Sequence, residues 1–463
     1  MQFFLKNQIM LFLACLLSYT SFCQTDTLRV MTYNVLNYGS YPICQGPNAL
    51  YHAYLQTIVQ YTKPDILGLE KMGSIPTSPS DHNNTAPPGF GDSILQYAMN
   101  AAFPGKYAYC PFTNASAANN MSLLIYNQQK LGFIAITSSY ANLTDFNTYK
   151  LYYKDPNLAT THDTTYLYVT LNHDQSGTTS DAIRGGQITG EMQHITNHFI
   201  HLPNMINMGD FNTHSTYEQC YQTLVNPTDT NFRFYDPPFS VDGSLTYPAD
   251  WDSNPNTFAG FLTTSTRQSA SIPNSCGTSG GAKSWYDHIF LSPWIINNAN
   301  HVHYIPHSYR TIGNDAHRLS ISINDSSALK NTSVPPDVLN ALFQMSNKYP
   351  VMVDLAVTQN TTGTSPSDPE ITPTGIAGEV FVQEQVSLVN PITSNISMYF
   401  SPGLIGQNVT VECFDMLGRS VLKQPVNIGQ RSIDIPCSLN KGVYTLRIYS
   451  KHSVLCMTTV VKK

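Results

Sequence analysis

Two buried strands bracketing a helix open this chain, and that order restricts its fold more than any other feature. "LRVMTYNVLNYG" (28–39) carries apolar and β-forming residues into a Gly, the pattern of a buried strand entering a turn. In "NALYHAYLQTIVQYTKPD" (48–65), Leu50, Ala53, Tyr54, Thr57, Ile58 and Tyr61 recur at three and four, and Pro64 stops the pattern. A helix is expected there. "DILGLE" (65–70) follows as a second buried strand, so the chain begins β-α-β, as a layered α/β domain does.

More apolar strands are expected at "MSLLIYN", "TYLYVTLNH", "NMINMGDFN" and "WYDHIFLS", with a helix over "DAIRGGQITGEMQHITNHFI". The last three of these strands carry polar residues that gather reactive groups at one end of a sheet, where α/β folds bind ligands. Near Thr358 the pattern lapses into "TQNTTGTSPSDPEITPTG", whose Thr, Ser, Pro and Gly read as a linker. Beyond it, short alternating strands such as "NVTVECFDMLGRSVLK" and "GVYTLRIYS" predict a small β-sandwich.

The N-terminus has a Lys near its start, an apolar stretch from Ile9 to Leu17 and small residues near Cys23, the layout of a secretory signal peptide. The apolar run is shorter than the roughly 18 residues of a membrane span, so the mature chain is expected to carry no transmembrane segment. The boundaries expected are a signal peptide over 1–23, a catalytic body over 24–356, a linker over 357–385 and a terminal domain over 386–463. Cleavage removes Cys15 and Cys23; the seven remaining cysteines have no metal-finger spacing and read as structural. A net charge of −6, with only 12% charged residues, offers no electrostatic footprint for tight nucleic-acid binding. Nucleic acid remains only as a transient substrate.

The chemistry concentrates in six places. In "NMGDFNTH", Asp210 and Asn212 lie two apart and project to one side of an extended segment. A carboxylate and a carboxamide on one face suit a phosphate ester, although an Asx turn has the same signature. Asn34 ends the first strand, and His173 ends another, where an imidazole can donate to a phosphate oxygen gaining charge. Asp287 sits in an apolar strand and demands a partner, for which a histidine is the natural choice. "GNDAHRLSISI" offers Asp315 and His317, and "PDILGLEKMG" ends its strand on Glu70 and Lys71.

In this order, these positions resemble the endonuclease/exonuclease/phosphatase superfamily, over roughly residues 25 to 356. The resemblance implies a four-layer α/β sandwich of two mixed β-sheets flanked by helices. It also implies a secreted hydrolase that attacks a phosphodiester with water, a phosphodiesterase or nuclease acting on nucleic acid or a phospholipid head group. By resemblance, Asn34 and Glu70 would hold Mg²⁺, with Mn²⁺ or Ca²⁺ as substitutes, and Asp315 would complete the metal site or orient His317. Asp210 would activate water, Asn212 would orient it or the phosphate, Asp287 would pair with His317, and His173 and His317 would contact the phosphate. The rival implication is a catalytically silent surface protein that binds phosphate-bearing ligands.

Two departures stand out. Ala316 separates Asp315 from His317, where the family has Asp directly before His. Lys71 occupies the family's metal-binding Glu position, one residue after Glu70, and strand faces alternate. Three readings stay open: a shifted register with Glu70 as ligand, the Lys71 ammonium standing where the metal would, or a site that has lost activity. The tail, through "FDMLGR" and "KGVYTLRI", resembles the C-terminal sorting domain of the type IX secretion system of Bacteroidetes-type bacteria. That implies secretion machinery as its partner and a secreted or cell-surface location.

Overall fold

The computed structural model describes residues 25–39, 47–73, 90–113, 115–116, 120–269, 277–327 and 329–371, and most of 386–463. The expected signal peptide, Cys44, Cys276 and residues 372–385 of the expected linker lie outside the described residues. The chain divides into two compact units, Met1–Ile371 and Thr372–Lys463.

In the first unit, β1 (Thr25–Tyr38) pairs parallel with β2 (Ile66–Gly73), and α1 (Asn48–Thr62) connects them. The opening β-α-β unit is therefore present. The sheet continues through β3 (Tyr107–Tyr109) and β4 (Asn120–Asn127) on one side. On the other side are β10 (Val302–Tyr304), β11 (Arg310–Thr311) and β12 (Val351–Thr358), so the sheet has seven strands, with β1 antiparallel to β12. A second, five-stranded sheet runs in chain order through β5 (Leu131–Asn142), β6 (Thr144–Tyr153), β7 (Tyr166–His173), β8 (Met205–Asp210) and β9 (Asp287–Leu291). Only β7 and β8 are parallel in it. Both sheets are mixed, and β1, β2 and β12 of the first meet β7, β8 and β9 of the second face to face.

Helices close the outer faces. α2 (Asp181–His198) packs on β5 and on α3 (Gln219–Val225), while α4 (Pro336–Met345) packs on α1 and β1. This is the four-layer sandwich, with strands buried on both sides reading as near-continuous apolar runs. The existence of α1 follows its periodicity, but the buried face is Tyr51, His52, Leu55, Ile58, Val59 and Thr62; Leu50 and Tyr61 are exposed. Both stripes recur at three and four, and the sequence of an isolated helix does not say which one the sheet and α4 will cover. The helix ends on Lys63 in the left-handed region, whose N–H closes on the Val59 carbonyl ahead of Pro64.

Residues 359–371, read from composition as linker, are held to the first unit. Lys150 Nζ lies 2.7 Å from Asp368 and 2.5 Å from Glu370, the Asn360 N–H donates to Asp155 at 2.6 Å, and the Ile371 N–H donates to the His198 carbonyl. Polar residues tie this segment down through ion pairs and side-chain acceptors, which a composition rule based on apolar content does not register. The second unit forms two antiparallel sheets, β13 (Val386–Leu388), β14 (Asn395–Phe400) and β17 (Ser432–Pro436), and β15 (Asn408–Phe414), β16 (Ser420–Asn427), β18 (Gly442–Tyr449) and β19 (Val454–Lys462). They share one core that includes Ile396, Val411, Leu446 and Ile448, as a small β-sandwich does. The described cysteines, Cys110, Cys220, Cys413, Cys437 and Cys456, are free and buried.

Candidate active site

Strand register builds the site. On the second sheet, His173 pairs with Asp210 and Asp210 with Asp287, so three strand ends place three titratable residues in one row. On the facing sheet Asn34 pairs with Glu70. Thr32, two residues before Asn34, shares its face. Gly68 permits the sheets to approach: a Cβ there would stand 2.6 Å from Leu171 and 2.9 Å from the Glu70 carboxyl.

Asp210 is the hub. Its Oδ2 accepts from Asn34 Nδ2 at 2.7 Å and from Lys348 Nζ at 2.8 Å, and its Oδ1 accepts from the Asn212 N–H at 3.1 Å. Burial raises its pKa, but the charges of Lys348 and His173 and these hydrogen bonds outweigh burial and hold the carboxyl below its ordinary range. Asp287 is equally buried, 3.5 Å from the same ammonium, and its Oδ1 accepts no hydrogen bond. Burial, then the neighbouring Asp210 charge against the pull of Lys348, pushes it up to about 7. The two carboxylates are thus driven apart, as expected of like charges sharing one counterion.

Lys348 was invisible to sequence reasoning. It follows α4 in "SNKYPV", is 5% exposed, and lies over the Tyr286 ring at 4.6 Å. Burial favours its neutral form, yet Asp210 and Asp287 raise its pKa overall. Ser346 sets its backbone, donating its hydroxyl to the Asn34 carbonyl at 2.7 Å while accepting from the Lys348 N–H at 3.1 Å. Nothing in the sequence marks it, since Lys348 stands three residues before β12 and outside any motif or periodic run.

His173 is buried, and burial lowers its pKa to about 4; Asp210 opposes the shift, while Lys71 and Lys348 reinforce it. The ring is neutral near pH 7 and retains one donor nitrogen. Asn212 adopts φ 48°, which Asn tolerates, and its Nδ2 donates to the Asp174 carbonyl at 2.9 Å. Behind it, Arg184 holds the loops after β7 and β8 together, donating to the Gln175 and Gly177 carbonyls and to both Glu218 oxygens.

Glu70 and Lys71 both approach the site because the strand bulges between them. Leu69 pairs with Leu123 and Met72 with Met121, leaving one extra residue on β2, and Lys71 has φ 56°. Alternation is broken at that step. Glu70 is fully buried, its Oε1 accepts from the Thr32 hydroxyl at 2.6 Å, and its Oε2 has no partner. Burial raises its pKa well above the ordinary range; Thr32 opposes the shift, and Asp287 and Asp210 add to it. Lys71 is partly exposed, and its ammonium, with its pKa lowered by burial, interacts with Asp210, Lys348 and Asp287.

The structure corrects the Asp315 and His317 assignments. The Asp315 Oδ1 accepts from Arg318 Nε at 2.9 Å and from the His317 N–H at 3.0 Å, while the His317 side chain is exposed. Ala316, at φ 63°, turns the segment so that Asp315 serves the buried Arg318. The partner of Asp287 is Lys348.

These residues do not fit Mg²⁺. A hard cation takes oxygen donors in near-octahedral array; here the Asn34 Oδ1 accepts from the Leu36 N–H at 3.0 Å, Asp315 is paired with Arg318, and the oxygens left without a partner are Glu70 Oε2 and Asp287 Oδ1. An ammonium already bridges the two remaining carboxylates. At an effective dielectric of about 20, two unit charges 4 Å apart interact by about 4 kcal/mol, so a dication beside Lys348 would meet roughly twice that repulsion. Among the described residues, Asp181, Glu218 and Cys220 form one cluster with ligand atoms close enough for a metal, away from this row, and Arg184 already holds its Glu218.

Residues 390–462 match the secretion system C-terminal sorting domain family. This tail directs export by the type IX route to the cell surface or the extracellular space. No curated protein matches the chain. Among solved structures, the human Nocturnin catalytic domain with bound sulfate is 14% identical, with 72% of this chain and 98% of that chain covered and a TM-score of 0.40. An endonuclease/exonuclease/phosphatase from Beutenbergia cavernae DSM 12333 is 12% identical, covering 94% and 99%, with a TM-score of 0.40. A protein of the same family from Leptotrichia buccalis C-1013-b is 10% identical, covering 70% and 98%, with a TM-score of 0.41.

Proposed function

We propose that the first unit is an exported phosphoester hydrolase of the endonuclease/exonuclease/phosphatase kind. The observation that carries this reading is the register-matched row His173, Asp210 and Asp287, facing Asn34 and Glu70 across the sheets. With Lys348 between two of its carboxylates, such a row offers an acceptor for a water proton, a positive charge for the phosphate and a neutral imidazole donor.

Asp287 is the proton acceptor in this reading, because a carboxyl near 7 is a far better base than one held ionised by an ammonium. Water oxygen bonds to phosphorus, one water proton passes to Asp287, the ester P–O bond breaks, and the leaving oxygen takes a proton from solvent. Lys348 and Lys71 oppose the charge that builds on the phosphate oxygens, and the His173 ring donates a hydrogen bond to one of them. Asp210 holds Lys348, and Asn212 fixes Asp210. The Mg²⁺ implied by resemblance enters none of these steps.

The second reading, a silent phosphate-binding protein, draws on the Asp210–Lys348 pair, which occupies the carboxylate that the family resemblance would have activate water. Hydrolysis of bis(p-nitrophenyl) phosphate, DNA and sphingomyelin by the purified protein separates the two, with EDTA or with added Mg²⁺, Mn²⁺ or Ca²⁺. Turnover that Asp287→Asn abolishes supports the enzyme. Saturable binding of phosphate esters without turnover in any condition rejects it.

A further inference from the structure

We propose that Lys348 is the resident cation of this site: a side chain, and not a divalent ion, bridges Asp210 and Asp287, and Lys71 presents a second positive charge to the ligand. This deepens the phosphoester reading and rests on it for the nature of the ligand, a phosphate mono- or diester anion.

Three features agree. Lys348 Nζ stands 2.8 Å from Asp210 and 3.5 Å from Asp287, with all three residues buried, so the ammonium has no solvent to replace its partners. The surroundings are shaped to it, with the Tyr286 ring 4.6 Å from the nitrogen and Ser346 fixing the backbone on each side of Asn347. Of the nearby oxygens, Asn34 Oδ1 accepts from the Leu36 N–H and Glu70 Oε1 from the Thr32 hydroxyl; Glu70 Oε2 and Asp287 Oδ1 are left open, and the ammonium already stands 3.5 Å from Asp287. Lys71, at the β2 bulge, differs in being partly exposed, and so can meet an incoming anion.

An ammonium is a fixed single charge with three donors, whereas a divalent ion brings two charges and ordered waters. The site should therefore bind phosphate anions in the presence of chelator. Removing Lys348 should turn two uncompensated carboxylates into a divalent-ion site.

Electron paramagnetic resonance of Mn²⁺ titrated into the full protein tests this without substrate. The wild type should leave the free Mn²⁺ signal unchanged by any site that Asp210→Asn removes. Lys348→Ala should bind Mn²⁺ stoichiometrically, and Lys348→Ala with Asp210→Asn should lose it again. Stoichiometric Mn²⁺ binding by the wild type that Asp210→Asn abolishes would overturn the proposal, as would a folded Lys348→Ala protein that gains none. If Lys348→Ala does not fold, the wild-type and Asp210→Asn titrations still decide. Absence of phosphoester turnover would defeat the hydrolase reading alone and leave the Mn²⁺ result standing.

Discussion

Glu191→Gln should change how stability responds to pH, and by a large amount. Glu191 lies on α2 and is buried; its Oε1 accepts from Asn207 Nδ2 at 2.8 Å, and Asn207 in turn accepts from Asn172, so one chain of side chains joins α2 to β8 and β7. Burial raises its pKa from 4.5 to about 8, with Asn172 and Asn207 opposing. A carboxyl raised on folding binds its proton more tightly in the folded state. Its stabilising contribution is therefore fully present below pH 4.5 and is lost as pH rises through 8. Between those limits the slope is about 1.4 kcal/mol per pH unit, and the shift sums to about 4–5 kcal/mol. Gln has no proton to lose. Urea unfolding of wild type and variant across pH 5 to pH 9 should therefore show the difference in stability moving in favour of Gln by several kcal/mol as pH rises. The other buried carboxyls contribute their own slopes, but these cancel in the difference. Parallel profiles would refute the assignment of a neutral Glu191.

Gly209→Ala should cost at least about 3 kcal/mol in unfolding free energy, because φ is 147° and a Cβ would stand 2.0 Å from the Asn172 carbonyl, wedging β8 from β7. Phosphodiester turnover should rise with pH to about 7 and then level, since Asp287 must lose its proton to act as base; a pH–rate profile that falls through pH 7 would remove Asp287 from that role. Lys71→Gly should keep the bulge, since Gly accepts φ 56° without strain, and should weaken phosphate-ester binding about five- to tenfold, read by titration calorimetry, for loss of ~1 kcal/mol of charge-assisted contact.

The layers were legible because buried strands announce themselves: "LRVMTYNVLNYG", "TYLYVTLNH" and "NMINMGDFN" are continuous apolar runs, and their polar ends fall where register aligns His173 with Asp210. The two-residue spacing of Asp315 and His317 looked like a continuation of the same site, yet that spacing is local and is satisfied by Arg318 three residues from Asp315. Lys348 escaped for the opposite reason. It lies 138 residues from Asp210 and 61 from Asp287, in the short connection between α4 and β12 with no periodicity, and only the packing of one sheet on the other joins them. The stripe of α1 that would be buried was also undetermined, since two apolar stripes differ by one residue and the facing surface decides between them.

The adjacent Glu70 and Lys71 become intelligible together with Lys348. Strict alternation would send one of the pair away from the site, and a metal-binding carboxylate would then exclude a neighbouring ammonium. One inserted residue in β2 removes that choice, directing Glu70 inward to Thr32 and Lys71 toward Asp210 and Asp287. Burial raises Glu70 well above its ordinary range and Asp287 to about 7, whereas Asp210 is held below its own range by the Lys348 that pairs with it. Lys71 is then the surplus charge. On the proposed reading, Lys71 is the charge left to meet a phosphate anion, since Lys348 is already bound between Asp210 and Asp287.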